Sequence, residues 1–223
     1  MDLITEGIKA LLKSDKDIER LLSCRFEEVI SLLDRYKNEI ELFNSVYGLT
    51  GANNTKDLII RHILDSLAPL GILSRLLGET ENSVIADAGS GAGFPGIPLA
   101  IAMPNCDFTL IERMGSRAAF LCSVKAMLKI PNITVEEGEL EKTQKKSFNM
   151  VTFRAFKPME PKLLKTLIRI LKKGGIIAAY KGRLEKTEYE MAPFKDFGYN
   201  WETITYSVPF LEEERHILVI KTN

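Results

Sequence analysis

The fold is decided by residues 84–96, whose sequence is VIADAGSGAGFPG. A short apolar segment, typical of a buried strand, leads into a glycine-rich turn, and the apolar pattern of a helix follows. Such a turn brings bare backbone N–H groups and a helix N-terminus close to a ligand. The segment therefore predicts an α/β fold that binds a nucleotide-like cofactor.

The glycines fit two cofactor patterns. Residues 91–96 have the spacing G-x-G-x-x-G of the dinucleotide fingerprint, in which amides and the helix dipole hold a pyrophosphate. Residues 87–93 have the spacing D-x-G-x-G-x-G, which matches the first motif of Rossmann-like methyltransferases that bind S-adenosylmethionine (SAM). An acid about 20 residues further on would hold the ribose hydroxyls of either cofactor. Glu112 has that position, so it supports the fold and leaves the cofactor open.

The composition is that of a soluble globular protein. The chain has 223 residues, 45% hydrophobic and 27% charged, and a formal net charge of zero. No apolar run is long enough for a membrane span, and no signal peptide pattern is present. The three cysteines lack metal-site spacing and the two histidines are too few for a metal cluster. We expect a cytoplasmic protein without a metal ion.

Two regions are expected along the chain: a helical extension at 1–80 and a cofactor-binding domain at 81–223. In the second region, strands are predicted at 84–88, 107–112, 133–136, 148–153 and 176–180, with helices at 95–102, 116–129 and 161–172. Alternating strands and helices predict a mostly parallel, Rossmann-like sheet. The last two strands, 201–208 and 216–221, have no helix between them and predict an antiparallel pair. That ending is normal for SAM-dependent methyltransferases and unusual for the nicotinamide-binding fold.

Arg154 is the sharpest candidate for a functional side chain. It follows an apolar strand and so faces the edge of the sheet where ligands bind. Its donors would hold a carboxylate or a phosphate in bidentate fashion. The structural alternative is an ion pair with a nearby acid such as Glu112 or Asp87. Lys181 has the equivalent position one strand along.

The region 154–186 is strongly basic although the whole chain is neutral. It contains ten Lys and Arg residues against two acids. If these side chains share one face, they would attract the phosphates of a nucleic acid. The alternative is a solvated surface whose acids come from elsewhere in the fold.

The sequence offers no convincing pair of nucleophile and base. One reaction does not need such a pair, because guanine N7 carries an exposed lone pair and no proton. Its methylation requires the base to be held in line with the methyl group, which is catalysis by positioning. An oxidoreductase, in contrast, would normally need a proton relay.

Five segments are similar to the RsmG family, bacterial small-subunit ribosomal RNA methyltransferases formerly called glucose-inhibited division protein B (GidB). They are RHILDSL at 61–67, DAGSGAGFPGIPL at 87–99, RAF at 154–156, YKG at 180–182 and ERH at 214–216. The similarity runs in order from about residue 43 to residue 221. The resemblance implies a SAM-dependent enzyme that methylates N7 of a guanine in 16S rRNA near the decoding centre. Its partner would be 16S rRNA or the 30S subunit.

The resemblance also implies the site residues. Leu140 and Glu141 would flank the adenine, and Arg154 would position substrate and cofactor without a general base. The cofactor would be bound by Asp87, Gly89, Gly91, Gly93, Phe94, Glu112, Arg113, Met114, Leu140, Glu141 and Arg154. We expect a monomer without membrane contact. Two other functions stay open: a SAM-dependent methyltransferase for a small metabolite, and a nicotinamide-dependent oxidoreductase.

Overall fold

A seven-stranded mixed sheet forms the centre of the computed structural model, which describes residues 2–78, 82–155, 157–197 and 200–222. The strands are β1 (Val84–Ala88), β2 (Asp107–Glu112), β3 (Ile133–Glu137), β4 (Phe148–Arg154), β5 (Leu171–Lys181), β6 (Trp201–Val208) and β7 (Leu211–Lys221). Their order in the sheet is β3-β2-β1-β4-β5-β7-β6. The first five strands pair in parallel, whereas β7 is antiparallel to both β5 and β6.

Helices cover both faces of the sheet. The N-terminal region contains α1 (Leu3–Ser14), α2 (Lys16–Leu22), α3 (Phe26–Tyr47), α4 (Thr55–Leu58), α5 (Asp65–Leu67) and α6 (Leu70–Leu77). A π-helical segment, Ile59–Leu64, joins α4 to α5 in one continuous helix. The strands are connected by α7 (Gly96–Ala102), α8 (Gly115–Leu128), α9 (Pro161–Ile170) and α10 (Leu184–Met191). Within the described ranges, no helix is long and apolar enough to cross a membrane.

The N-terminal helices pack directly on the sheet because their apolar stripes and one sheet face share a core. Ile8 of α1, Leu33 of α3 and Leu64 are fully buried in the same cluster as Ile85 and Leu110 of the sheet. A second cluster fills the opposite face, where Val151 and Phe153 of β4 meet α9. Strand residues alternate between these clusters, as expected for a sheet buried on both sides.

The predicted sheet and its antiparallel ending are confirmed, and three boundaries differ. Helix α9 ends at Ile170, and β5 begins at Leu171, because the predicted turn at Gly174 and Gly175 is an irregular part of that strand. Strand β7 begins at Leu211, five residues before its predicted start. The sequence pattern did not predict α6 or α10. The predicted boundary between residues 80 and 81 lies outside the described residues, and the division at that point stays a prediction.

This topology fixes the location of a ligand site. The chain order reverses between β1 and β4, which are neighbours in the sheet. In open α/β sheets, ligands bind outside the carboxyl ends of the strands at this reversal. The glycine-rich turn after β1 and Arg154 at the end of β4 both lie at that edge.

Candidate active site

The turn after β1 is held in shape from below by Asp87. The carboxylate is fully buried, and its Oδ2 accepts from the Gly96 N–H at 3.0 Å. A side chain at Gly96 would place Cβ 2.6 Å from that oxygen, so the close approach requires glycine. Burial raises the pKa of Asp87 to about 7. Asp87 therefore supports the first turn of α7.

Gly93 has the second strict requirement in this turn. Its φ of +102° lies in the region that L side chains rarely adopt, and a Cβ would lie 2.4 Å from Ile97 Cδ1. The neighbouring Ala92 carbonyl accepts from the buried Tyr36 hydroxyl at 2.7 Å. The turn is thus fixed both by its own backbone and by α3.

Glu112 joins the turn to the end of β2. Its Oε2 accepts from the Gly91 N–H at 2.9 Å, and its Oε1 accepts from the Met114 N–H at 2.8 Å. The side chain is buried, so two strand ends are linked by one carboxylate. Each oxygen retains a lone pair for a further donor.

A cleft of about 590 Å³, here named the cofactor cleft, lies beside these groups. Six predicted site residues line it: Gly89, Glu112, Arg113, Met114, Leu140 and Glu141. Asp87, Gly91, Gly93 and Phe94 are placed behind its wall, and Arg154 lines a different pocket. Phe94 is buried, with its ring centroid 5.4 Å from that of Tyr36. The cofactor contacts of all these residues stay predictions.

Arg169 holds the far end of the cofactor cleft. From α9 it donates to the Thr143 carbonyl at 2.8 Å, to the Glu141 carbonyl at 2.9 Å and to the Leu140 carbonyl at 3.1 Å. These carbonyls belong to the 3₁₀ turn Leu140–Lys142 and the residue after it. One guanidinium therefore fixes the segment that was predicted to flank an adenine.

A second pocket of about 710 Å³ adjoins the cofactor cleft, and Ala155 and Lys157 line both. The second pocket is also lined by Arg61, His62, Asp65, Arg154, Tyr180, Lys181, Tyr206 and Arg215. Ala155 has a left-handed backbone, with φ of +50°, directly after β4. Phe156, the last residue of the RAF segment, lies outside the described residues.

Arg154 is bound by the π-helical segment and α5. Its Nη1 donates to Asp65 Oδ2 at 3.1 Å and to the Arg61 carbonyl at 3.1 Å, and its Nη2 lies 2.9 Å from His62 Nδ1. The guanidinium carbon also lies 5.1 Å from the centre of the Phe94 ring. The ion pair predicted with Glu112 or Asp87 is therefore made with Asp65 instead.

His62 is neutral near pH 7. Burial, with the charges of Arg154 and Arg61, lowers the pKa of its imidazole to about 4. Because Nδ1 accepts from Arg154, the hydrogen-bond pattern assigns the proton to Nε2. The ring centroid lies 5.1 Å from that of Phe94.

Asp65 is the centre of the second pocket's polar network. It is 3% exposed and contacts Arg154 through Oδ2, while Oδ1 accepts from the Tyr206 hydroxyl at 3.1 Å and lies 3.4 Å from Arg215 Nε. The Tyr180 hydroxyl donates to the neighbouring Ser66 carbonyl at 2.7 Å. Asp65 thus ties the N-terminal helices to β4, β6 and β7.

Lys181 is paired within the same pocket. Its Nζ lies 2.7 and 2.8 Å from the two carboxylate oxygens of Glu190 on α10. Glu190 also accepts from the Met159 N–H. The cation that was predicted at this strand end therefore fixes α10 against the loop after β4.

The basic run 154–186 is divided between two edges of the sheet. Lys157, Lys162 and Lys186 line the pockets at the carboxyl ends of the strands. Lys172 and Lys173 lie at the start of β5, at the opposite edge, and Lys172 donates to Asn149 Oδ1 at 3.0 Å. The expectation of one shared face is therefore wrong for these two lysines.

Several residues of the site were not identified from sequence. The RHILDSL and ERH segments drew attention to Asp65 and Arg215, without giving either a role. Tyr206 and Arg169 carried no signal, because a tyrosine in a predicted strand and an arginine in a basic run are ordinary. Their contacts join segments that are far apart in the chain.

Comparisons with known proteins agree with this architecture. A family model described as rRNA small subunit methyltransferase G (GidB) matches residues 29–218. The chain is 35% identical to Ribosomal RNA small subunit methyltransferase G of Treponema denticola, over 99% of this chain and 96% of that protein. It is 35% identical to the protein of the same name from an Enterobacter species, over 87% of this chain and 93% of that protein.

Two solved structures show the same fold. One is a SAM dependent methyltransferase from Aquifex aeolicus, with a TM-score of 0.55 and 16% identity over 71% of this chain and 92% of that one. The other is precorrin-6y C5,15-methyltransferase from Geobacter metallireducens, with a TM-score of 0.53 and 17% identity over 69% of this chain and 87% of that one. The family similarity noted in the sequence is confirmed: the chain belongs to the rRNA small subunit methyltransferase G family.

Proposed function

We propose that this chain transfers the methyl group of SAM to N7 of a guanine in 16S rRNA, near the decoding centre, in the cytoplasm. The relatives named above are methyltransferases of small-subunit rRNA, and the resemblance in the five segments implies guanine N7. The observation that carries the proposal is the pair of adjoining pockets. One pocket follows the glycine-rich turn, and the other shares Ala155 and Lys157 with it.

The cofactor cleft fits SAM in its chemistry. Glu112 keeps lone pairs for ribose hydroxyls after accepting two backbone N–H groups. A Cβ built on Gly91 meets no atom closer than 3.9 Å, which leaves room for a ligand against the backbone. Leu140 and Glu141, fixed by Arg169, would flank the adenine. SAM supplies an electrophilic methyl group on a sulfonium when it is bound.

The second pocket suits an acceptor atom that has no proton to lose. Both oxygens of Asp65 have cationic or hydroxyl partners, and His62 Nδ1 accepts from Arg154, so neither group is arranged as a general base. The N7 lone pair would form the new bond to carbon, while the electrons of the broken bond remain on sulfur. The residues of this pocket would hold the base in line and exclude water.

Arg154 would position the guanine. It is held rigidly by three acceptors on one side and lies over Phe94 on the other. Remaining N–H groups of its planar fork would face the acceptor base. The chain would act as a monomer and without a metal ion, because one chain lines both pockets and N7 needs no Lewis acid.

The test uses purified protein, methyl-labelled SAM, and 16S rRNA or 30S subunits from cells that lack this modification. We expect label in 7-methylguanine at one position, a single protein mass by light scattering, and the same rate after treatment with EDTA. Label in another nucleoside would contradict the N7 assignment. SAM binding without any label in rRNA would contradict the rRNA substrate.

A further inference from the structure

A groove of about 710 Å³, here named the outer groove, continues the second pocket toward α10. The two share Lys181, Gly182, Lys186, Glu190 and Arg215. The cofactor cleft, the second pocket and the outer groove therefore form one continuous depression. A nucleotide in the second pocket would have its neighbours along this depression.

The acids of the outer groove are already engaged. Glu190 pairs with Lys181, and Glu213 pairs with Arg61 at 2.6 Å and with Arg215 at 3.0 Å. Glu214 accepts from the Leu184 N–H at 3.1 Å. Arg183 and Lys186 are exposed and form no ion pair within the described ranges. The charge that the outer groove can offer to a ligand is therefore positive.

An exposed aromatic ring continues these cations along α10. Arg183 directly precedes the helix, and Lys186 and Tyr189 follow at intervals of three, so the three side chains lie along one side. Thr187 and Met191 are buried on the side that faces the core. Tyr189 is 86% exposed, the largest exposed fraction among the exposed large hydrophobic residues of the described chain. The ring is therefore not explained by packing.

Helix stability does not explain the cations either. The N-terminal end of a helix carries a partial positive charge, so Arg183 and Lys186 are placed where cations are unfavourable. Exposed aromatic rings next to cations are the feature by which proteins bind single-stranded nucleic acids, since bases stack on the rings and phosphates pair with the charges.

We propose that the outer groove and the row Arg183, Lys186 and Tyr189 bind the single-stranded RNA next to the target nucleotide. Arg183 and Lys186 pair with its phosphates, and Tyr189 stacks on a base. This assignment rests on the proposed function and adds the path of the RNA strand. It also explains why α10 is fixed by the pair of Lys181 and Glu190 beside the second pocket.

The test compares two double variants with equal loss of charge. Arg183→Ala/Lys186→Ala removes the groove cations, and Lys145→Ala/Lys173→Ala removes two exposed lysines near the amino ends of the strands. RNA affinity is measured by fluorescence anisotropy over a range of salt concentrations with a single-stranded fragment of 16S rRNA. For the groove variant we expect roughly tenfold weaker binding and a salt slope smaller by about 1.4, at about 0.7 for each phosphate contact. SAM affinity, measured by calorimetry, stays within twofold.

Tyr189 is tested by two single variants. Tyr189→Ala should weaken RNA binding by about tenfold, the range of one lost base stack, whereas Tyr189→Phe should restore it. Equal RNA affinity in the groove variant and the control double variant would overturn the assignment, even if the unaltered chain methylates rRNA. Absence of rRNA methylation by the unaltered chain would overturn the proposed function as well.

Discussion

The cofactor cleft and the second pocket are built by different means. In the cofactor cleft, carboxylates bind backbone N–H groups that are close in sequence, as Asp87 binds Gly96 and Glu112 binds Met114. In the second pocket, Asp65 gathers side chains from three strands that lie about 90 to 150 residues further along the chain. A site made by the local backbone leaves a spacing in the sequence, whereas a site made by distant side chains leaves none.

The largest effect is expected from removing the centre of the second pocket. Asp65→Ala leaves Arg154 and Arg215 without their buried partner, and should lower the free energy of unfolding by about 3–5 kcal/mol. Urea unfolding measures this. Glu202→Ala is the control, because its pair with Lys221 is exposed and should contribute about 0–1 kcal/mol. A loss for Asp65→Ala as small as that of the control would mean that the pocket does not depend on this carboxylate.

The cofactor cleft should respond to pH through Asp87. Its folded pKa of about 7 lies above the ordinary value of 3.8, so between these values the folded chain keeps a proton that the unfolded chain has lost. The contribution of this group to stability therefore falls as pH rises through that window, by at most about 1.4 kcal/mol per pH unit. Above about pH 7 it is constant.

Asp87→Asn removes the titration and isolates the effect. Unfolding free energies of both proteins from pH 4 to pH 8 give a difference curve, in which the variant should gain on the unaltered chain as pH rises to 7. A flat difference curve would show that burial does not hold the proton on Asp87.

Arg154 tests whether the second pocket acts on the reaction. Arg154→Ala should lower kcat by about 100-fold, the loss expected when a reacting group is displaced by about 1 Å. SAM affinity should change less, because Arg154 does not line the cofactor cleft. Arg154→Lys keeps the charge without the planar fork and should recover little of the rate. A normal kcat in Arg154→Ala would give this arginine a structural role alone.

The smallest effect is expected at the far end of the cofactor cleft. Arg169→Ala frees the three carbonyls of the turn that carries Leu140 and Glu141, and should raise the KM for SAM by about tenfold with little change in kcat. Lys165→Ala, an exposed lysine of the same helix, serves as control. If kcat falls and KM does not, the turn does not shape the adenine end of the site.

Sequence patterns predicted the sheet well because strand alternation and glycine spacing are local. They failed where local signals were weak or misleading. Helix α10 buries only Thr187 and Met191 fully, so it has little apolar periodicity. The glycine pair at 174–175 suggested a turn, but it lies within β5. The six predicted residues of the cofactor cleft belong to three short segments, each of which follows a predicted strand.

The partner of Arg154 could not be predicted in the same way. Asp65 precedes it by 89 residues, and no period links an acid in a helical extension to an arginine at a strand end. Glu112 and Asp87 were the acids that the topology brought to the same edge. Both are instead engaged by backbone N–H groups, so the arginine pairs with the helix packed above the sheet.

The π-helical segment Ile59–Leu64 makes the length of this helix part of the site's geometry. A π turn is an α-helical turn with one extra residue, and such turns are frequent at functional sites. Deleting one residue here would restore α-helical winding and rotate everything after it by about 100°, with a shift of about 1.5 Å along the axis. Asp65 would then leave Arg154, Tyr206 and Arg215 together. The chain tolerates many substitutions on the outer face of this helix more readily than the loss of a single residue within it.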